Sequence, residues 1–90
     1  MSLHLGQDVT VNKDEIVGIF DMDTSTVSKT TRDYLWAAEK SGKVVNVSTE
    51  LPKSFVVCID KAGKTTVYIS QISSATLLKR GGFLKGLTAI

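Results

Sequence analysis

The sequence predicts an α+β fold: a small twisted, mainly antiparallel β-sheet of five to six strands, one long helix packed on it, and a short C-terminal helix. Three observations carry this. Short apolar runs rich in β-branched residues, Ile16-Val17-Gly18-Ile19-Phe20 and Phe55-Val56-Val57-Cys58-Ile59, have the length and composition of strands. Between residues 25 and 41 the apolar period becomes that of a helix. Clusters of turn-forming residues separate these segments.

Taken in order, Val9 and Val11 alternate with polar neighbours, as on a half-buried strand. Gly6 and Asn12-Lys13-Asp14 supply turns on either side. The run at 16–20 is expected as a central strand. A helix from Thr24 or Ser25 to about Ser41 follows, with Val27, Thr31, Tyr34, Leu35 and Ala38 on one face. Asp23, Thr24 and Ser25 are candidate N-caps, and Gly42 suits the residue just past the helix end. Lys40 and Lys43 complement the negative end of the helix dipole. Residues 44–47 form another strand. Residues 55–60 and 65–70 read as a hairpin about the turn Lys61-Ala62-Gly63-Lys64. Ser73 or Ser74 caps a last helix over 75–80, which Gly81 and Gly82 end. The expected core is Val11, Ile16, Val17, Ile19, Phe20, Leu35, Val45, Val56, Cys58, Val67 and Ile69.

With 90 residues, 42% hydrophobic and 7% aromatic, the chain is expected to form a single domain, 1–90, with a modest core. Domains of this size bury a low fraction of their surface, and unpaired sheet edges favour association, so a homo-oligomer is expected. Trp36 falls off the helix's packing face, nearly opposite Val27 at about 100° per residue. It belongs to a helix packed on two sides, or is a half-exposed side chain, or is an oligomer-interface anchor, since tryptophan is favoured at interface hot spots. The apolar tail at 83–90 is expected to pack, with no site assigned. No apolar run is long enough to span a membrane and no signal-peptide pattern precedes the domain, so no membrane partner is expected. One cysteine makes no internal disulfide, which suits a cytoplasmic location.

Eleven basic and nine acidic side chains give a formal net charge of +2. That is too mild for one subunit to grip nucleic acid strongly, though a ring or filament repeating one patch multiplies it. The segment Leu51-Pro52-Lys53-Ser54 runs straight into an apolar strand. A proline there removes a backbone donor and fixes the approach of the chain. Lys53 is thereby set on a loop at the rim of a rigid sheet, where binding groups tend to lie. Lys79 and Arg80 end the last helix and Lys43 follows the first. Each reads equally as a solvated or dipole-complementing charge.

One motif suggests catalysis. Ile19-Phe20-Asp21-Met22-Asp23-Thr24-Ser25 resembles the first motif of haloacid-dehalogenase-type phosphatases, in which the first aspartate attacks phosphorus and the second handles protons. The chain is too short for that family's remaining motifs, and no later acidic pair completes a magnesium site. The alternative is that Asp21, Asp23 and Thr24 form the turn and cap into the helix. His4 and Cys58 are the sole histidine and cysteine. They lie on different strands and make neither a metal cluster nor a nucleophile–base pair; Cys58 reads as a core residue. No cofactor, metal or small-molecule substrate is implied, and the chain does not read as an enzyme.

Four ordered segments carry a wider resemblance. They are His4-Leu5-Gly6 with Val9 and Val11; Ile16-Val17-Gly18-Ile19-Phe20-Asp21; Leu51-Pro52-Lys53-Ser54-Phe55-Val56-Val57; and Val67-Tyr68-Ile69-Ser70-Gln71-Ile72-Ser73-Ser74 with Thr76-Leu77-Leu78-Lys79-Arg80. Over residues 4–80 the chain resembles the bacterial extracellular-matrix regulatory proteins, closest to the RemB group and more distantly the RemA group. The resemblance implies a cytoplasmic, DNA-associated transcriptional regulator of biofilm-matrix genes. RemA-type relatives form rings and bind DNA through arginines. Here Glu15 stands at the place of the first arginine, and Leu51 and Pro52, with Lys53 beside them, at the place of a pair. The expected DNA-binding residues are therefore Lys53, then Lys79, Arg80 and Lys43. The alternative is an oligomeric scaffold or interaction module of the same fold without direct DNA binding. A phosphatase-like enzyme using Asp21 and Asp23 is a distant third.

Overall fold

The structure is a computed structural model that describes residues 1–22 and 28–82. Strands β1 (Ser2–Gly6) and β2 (Val9–Asn12) form an antiparallel hairpin. Its turn uses Gly6 at φ +119° and Gln7 at φ +48°. The φ of Gly6 is one that L side chains rarely adopt, so glycine is favoured there, with the Gln71 amide packed close against it. A 3-10 turn over Lys13–Glu15 follows, capped by the Asn12 side chain, which accepts from the Asp14 N–H at 2.9 Å.

Strand β3 (Ile16–Asp21) leads to helix α1 (Lys29–Lys40), then to β4 (Val44–Asn46), β5 (Ser54–Ile59), β6 (Thr65–Ser70) and helix α2 (Ser74–Gly81). The four later strands form a sheet in the order β3-β5-β6-β4. Its pairings are antiparallel except that of β4 with β6, which is parallel. The expected α+β class and mainly antiparallel pairing are present. The six strands divide between a hairpin and a four-stranded sheet.

The alternation of β5 explains the layering. Phe55 and Val57 face α1, packing with Ala38, Leu35, Val67 and Ile69. Val56 and Cys58 face the other way, joining Ile19 to Leu3, Leu5 and Val11 of the hairpin and Leu77 and Leu78 of α2. A strand buried on both faces reads as an unbroken apolar run, as this one does. The sheet thus lies between α1 on one side and the hairpin with α2 on the other.

Several expectations are corrected. Val17 is 54% exposed, because β3 is an edge strand with a register shift between Ile16 and Gly18 that leaves Val17 without a cross-strand partner. Val45 is 39% exposed: β4 is the other edge, and alternation turns Val45 away from the α1 side that Val44 packs toward. The long helix starts at Lys29 and not at Ser25, because Ser28 has extended backbone (φ −70°, ψ 132°). Tyr34 is half-exposed beside α1's packing face. Val27 and the candidate caps Asp23, Thr24 and Ser25 lie outside the described residues, as does the tail at 83–90. Other local readings agree with the structure. Gly42 ends α1 at φ +72°. Asp60 Oδ1 accepts from the N–H groups of Ala62 and Lys64, with Gly63 at φ +84° between them. Ser73 caps α2 through the Thr76 N–H, and Gly82 closes it in the left-handed conformation.

Candidate functional site

Lys53 stands where three strand ends meet. Asp21 at the end of β3, Ser54 at the start of β5 and Ser70 at the end of β6 lie side by side in register. The Lys53 N–H donates to the Ser70 carbonyl, and the Met22 N–H donates to the Lys53 carbonyl, both at 2.9 Å. Its backbone is therefore held on both sides while its side chain is exposed. Two buried serines lock this rim. Ser54 Oγ donates to the Ile72 carbonyl at 2.6 Å. Ser70 Oγ donates to the Leu5 carbonyl at 2.7 Å and accepts from the Ile72 N–H at 3.0 Å. Beside the rim, Asn46, Ser48, Thr49, Glu50, Pro52 and Ile69 line a shallow hollow of about 380 Å³.

The other expected basic residues stand elsewhere. Lys13, just before β3, donates through Nζ to the Gly81 carbonyl at 2.8 Å, which ties the last turn of α2 to the end of the sheet opposite Lys53. Lys79 and Arg80 are exposed in that turn. Lys43 is exposed between α1 and β4; its N–H donates to the Ala38 carbonyl and its carbonyl accepts from the Val67 N–H. Lys43 and the Lys79–Arg80 pair thus sit toward the same end of the sheet but on its opposite faces. Lys53 is not brought together with any of them.

Trp36 is 63% exposed on the outer face of α1, with the Lys40 ammonium 4.5 Å from its ring centroid. Two features here escaped the sequence reading. One is a groove of about 410 Å³ between α1 and the β3 edge, lined by Val17, Phe20, Thr31, Tyr34, Phe55 and Val57. The Phe20 and Phe55 rings stack at 4.9 Å at its floor. The exposed edge position of Val17 was the missing information, and a continuous apolar run hides it. The other is a basic row along the outer face of α1, which was legible in the spacing of Lys29, Arg32 and Lys40 about Trp36.

The chemistry of the remaining candidates is modest. Asp21 closes β3 opposite Ser54, and Asp23 lies outside the described residues. Among the described residues no three His, Cys, Asp or Glu side chains gather to hold a metal ion. Burial, with Glu15 adding to it, pushes the Cys58 thiol up to about 11, so it remains a protonated core group at neutral pH. Burial also raises the Tyr68 phenol. Among the described residues no helix is long and apolar enough to cross a membrane.

The site is thus an exposed lysine whose backbone is held at the rim of an α+β sheet. The family model described as RemA-like, extracellular matrix regulatory protein A-like, matches residues 2–80. The chain is also similar to Extracellular matrix regulatory protein B of Bacillus subtilis (strain 168), at 37% identity over 84 residues, which span 93% of this chain and 94% of that protein. The chain belongs to the RemA-like family of extracellular matrix regulatory proteins.

Proposed function

We propose that this protein is a cytoplasmic, DNA-associated regulator of extracellular-matrix genes that works as a homo-oligomer and holds DNA through its phosphates. The observation that supports it most is the anchorage of Lys53: an exposed cation whose own backbone is bonded to the ends of β3 and β6. A lysine so held acts as a point charge that positions the DNA backbone without reading bases. One subunit offers a single such contact, because Lys43, Lys79 and Arg80 stand at the far end of the sheet. Useful affinity then comes from repetition of the rim around an assembly. Lys43, Lys79 and Arg80 serve as secondary phosphate contacts only where a neighbouring subunit brings them beside another copy's Lys53.

For the assembly, the apolar groove at the β3 edge is the better contact for a second copy. Trp36, the anchor expected from the sequence, has charged neighbours along its own helix face in place of an apolar rim. The test is retardation of duplex DNA. The unmodified protein is expected to retard DNA at low salt, and Lys53→Glu to lose most of that retardation. Absence of retardation at low salt, or equal binding by Lys53→Glu, supports the scaffold reading instead.

A further inference from the structure

The outer face of α1 presents an exposed tryptophan among charged side chains. Residues 29–43 hold four basic side chains, Lys29, Arg32, Lys40 and Lys43, against two acidic ones, Asp33 and Glu39. Their net charge of +2 equals that of the whole chain, so the remaining seven basic and seven acidic side chains balance. On α1 itself, Lys29, Arg32 and Lys40 stand against Asp33 and Glu39. At about 100° per residue, Lys29, Arg32, Trp36 and Lys40 fall within an arc of about 80° on the helix. All four are exposed. They form one row, about 16 Å long at about 1.5 Å per residue, with the indole between cations.

On its own helix the indole has the Lys40 ammonium 4.5 Å from its ring centroid. Its other neighbours on the outer face are Arg32, Asp33 and Glu39. A protein hot spot needs a rim that excludes water, and charges are depleted from interface cores. This setting supplies neither. Insertion into a membrane surface needs an apolar helix face, but Leu35 and Ala38 of α1 are turned onto the sheet, leaving a single indole. A ligand that alternates flat π faces with negative charges matches a row that alternates a ring with cations. A duplex keeps its base faces stacked internally, whereas a single strand offers them.

We propose that the outer face of α1 binds single-stranded nucleic acid, with a base stacked on Trp36 and phosphates on Lys29, Arg32 and Lys40. The Lys29–Asp33 ion pair, at 3.0 Å and largely exposed, does not prevent this, because such pairs exchange readily in water. The row runs along α1, whereas Lys53 stands in the loop before β5, and the proposal does not rest on Lys53.

Trp36 is the chain's sole tryptophan, so its emission reports on this site alone. The experiment titrates the full chain with an oligothymidylate of about ten nucleotides, a length within the usual site range. The expected result is saturable quenching of Trp36 emission. With three phosphates neutralised, a fourfold rise in salt should lower the association constant about twentyfold. Arg32→Glu combined with Lys40→Glu, both exposed, should abolish the quenching. With a fluorescently labelled strand read by anisotropy, Trp36→Ala should weaken binding on the order of tenfold, and Trp36→Phe should restore part of it. Lys53→Glu should leave the quenching unchanged, which separates this site from the duplex contact. The proposal is overturned if the strand causes no quenching or if a duplex of equal length quenches as strongly. It is equally overturned if the response is confined to polyglutamate or phosphatidylglycerol vesicles, or if Trp36→Ala binds the labelled strand like the original.

Discussion

Ser54 and Ser70 are the residues that hold the Lys53 rim in shape. Both are fully buried and opposite each other in register, and their hydroxyls satisfy backbone groups of the connection into α2 and of the hairpin. Removing one hydroxyl strands a buried carbonyl, which costs about 1–3 kcal/mol. Ser70→Ala is therefore expected to lose that much stability in a urea titration; a loss below about 0.5 kcal/mol, the range of neutral surface changes, would contradict the role given to it. Cys58 supplies a second test. Its thiol titrates near 9.0 when unfolded and near 11 when folded. The folded state keeps the proton longer, so its contribution is complete below about pH 9 and is lost as pH rises to about 11, at up to about 1.4 kcal/mol per pH unit. Cys58→Ala should show a flatter decline over that window, and an identical decline would rule the thiol out. The serines illustrate what the sequence conceals. A serine among Val, Ile and Phe gives no sign of whether its hydroxyl faces solvent or closes a buried carbonyl sixty or more residues away.

At the scale of elements, local signals were read well and pairing order poorly. Gly42, the Asp60–Lys64 turn, Ser73 and Gly82 each act within a few residues, so their chemistry is visible in the sequence itself. Which strand lies at an edge is decided by long-range pairing. The apolar run of β3 reads as central, yet β5 holds that place, and Val17 is left exposed. Leu3, Leu5, Leu77 and Leu78 were missed for the same reason, since nothing local shows that β1 and α2 cover one sheet face together. The open β3 edge beside the groove leads to a prediction about assembly. An exposed lysine on an edge strand discourages pairing with another chain. Val17→Lys should therefore reduce the mass measured by light scattering while changing stability by less than about 0.5 kcal/mol, as an exposed site allows. An unchanged mass would remove this edge from the subunit contact. The N-cap of α2 is testable too: Ser73→Ala should cost about 1 kcal/mol, read from the urea midpoint.

The whole molecule separates its charges by layer and by end. The rim with Lys53 is at one end of the sheet, the α2 terminus with Lys79 and Arg80 and the Lys43 connection are toward the other, and the basic row of α1 runs along one face. No composition or spacing rule could have shown that separation, because the lysines are brought apart by strand direction and not by sequence distance. The candidate site was legible to the extent that Pro52 and Lys53 marked a strand mouth; its serine lock and its isolation from the other cations were not. The proposed function holds DNA by single lysine contacts repeated around an assembly. The dependence of duplex binding on salt tests this most directly, compared between the original protein and Lys53→Ala. Each phosphate contact contributes about 0.9 to the slope of log affinity against log salt. The expected result is a shallower slope for Lys53→Ala, by about 0.9 for each subunit that touches the duplex, with affinity reduced about equally across DNA sequences. An unchanged slope and affinity would show that the anchored lysine does not touch the DNA.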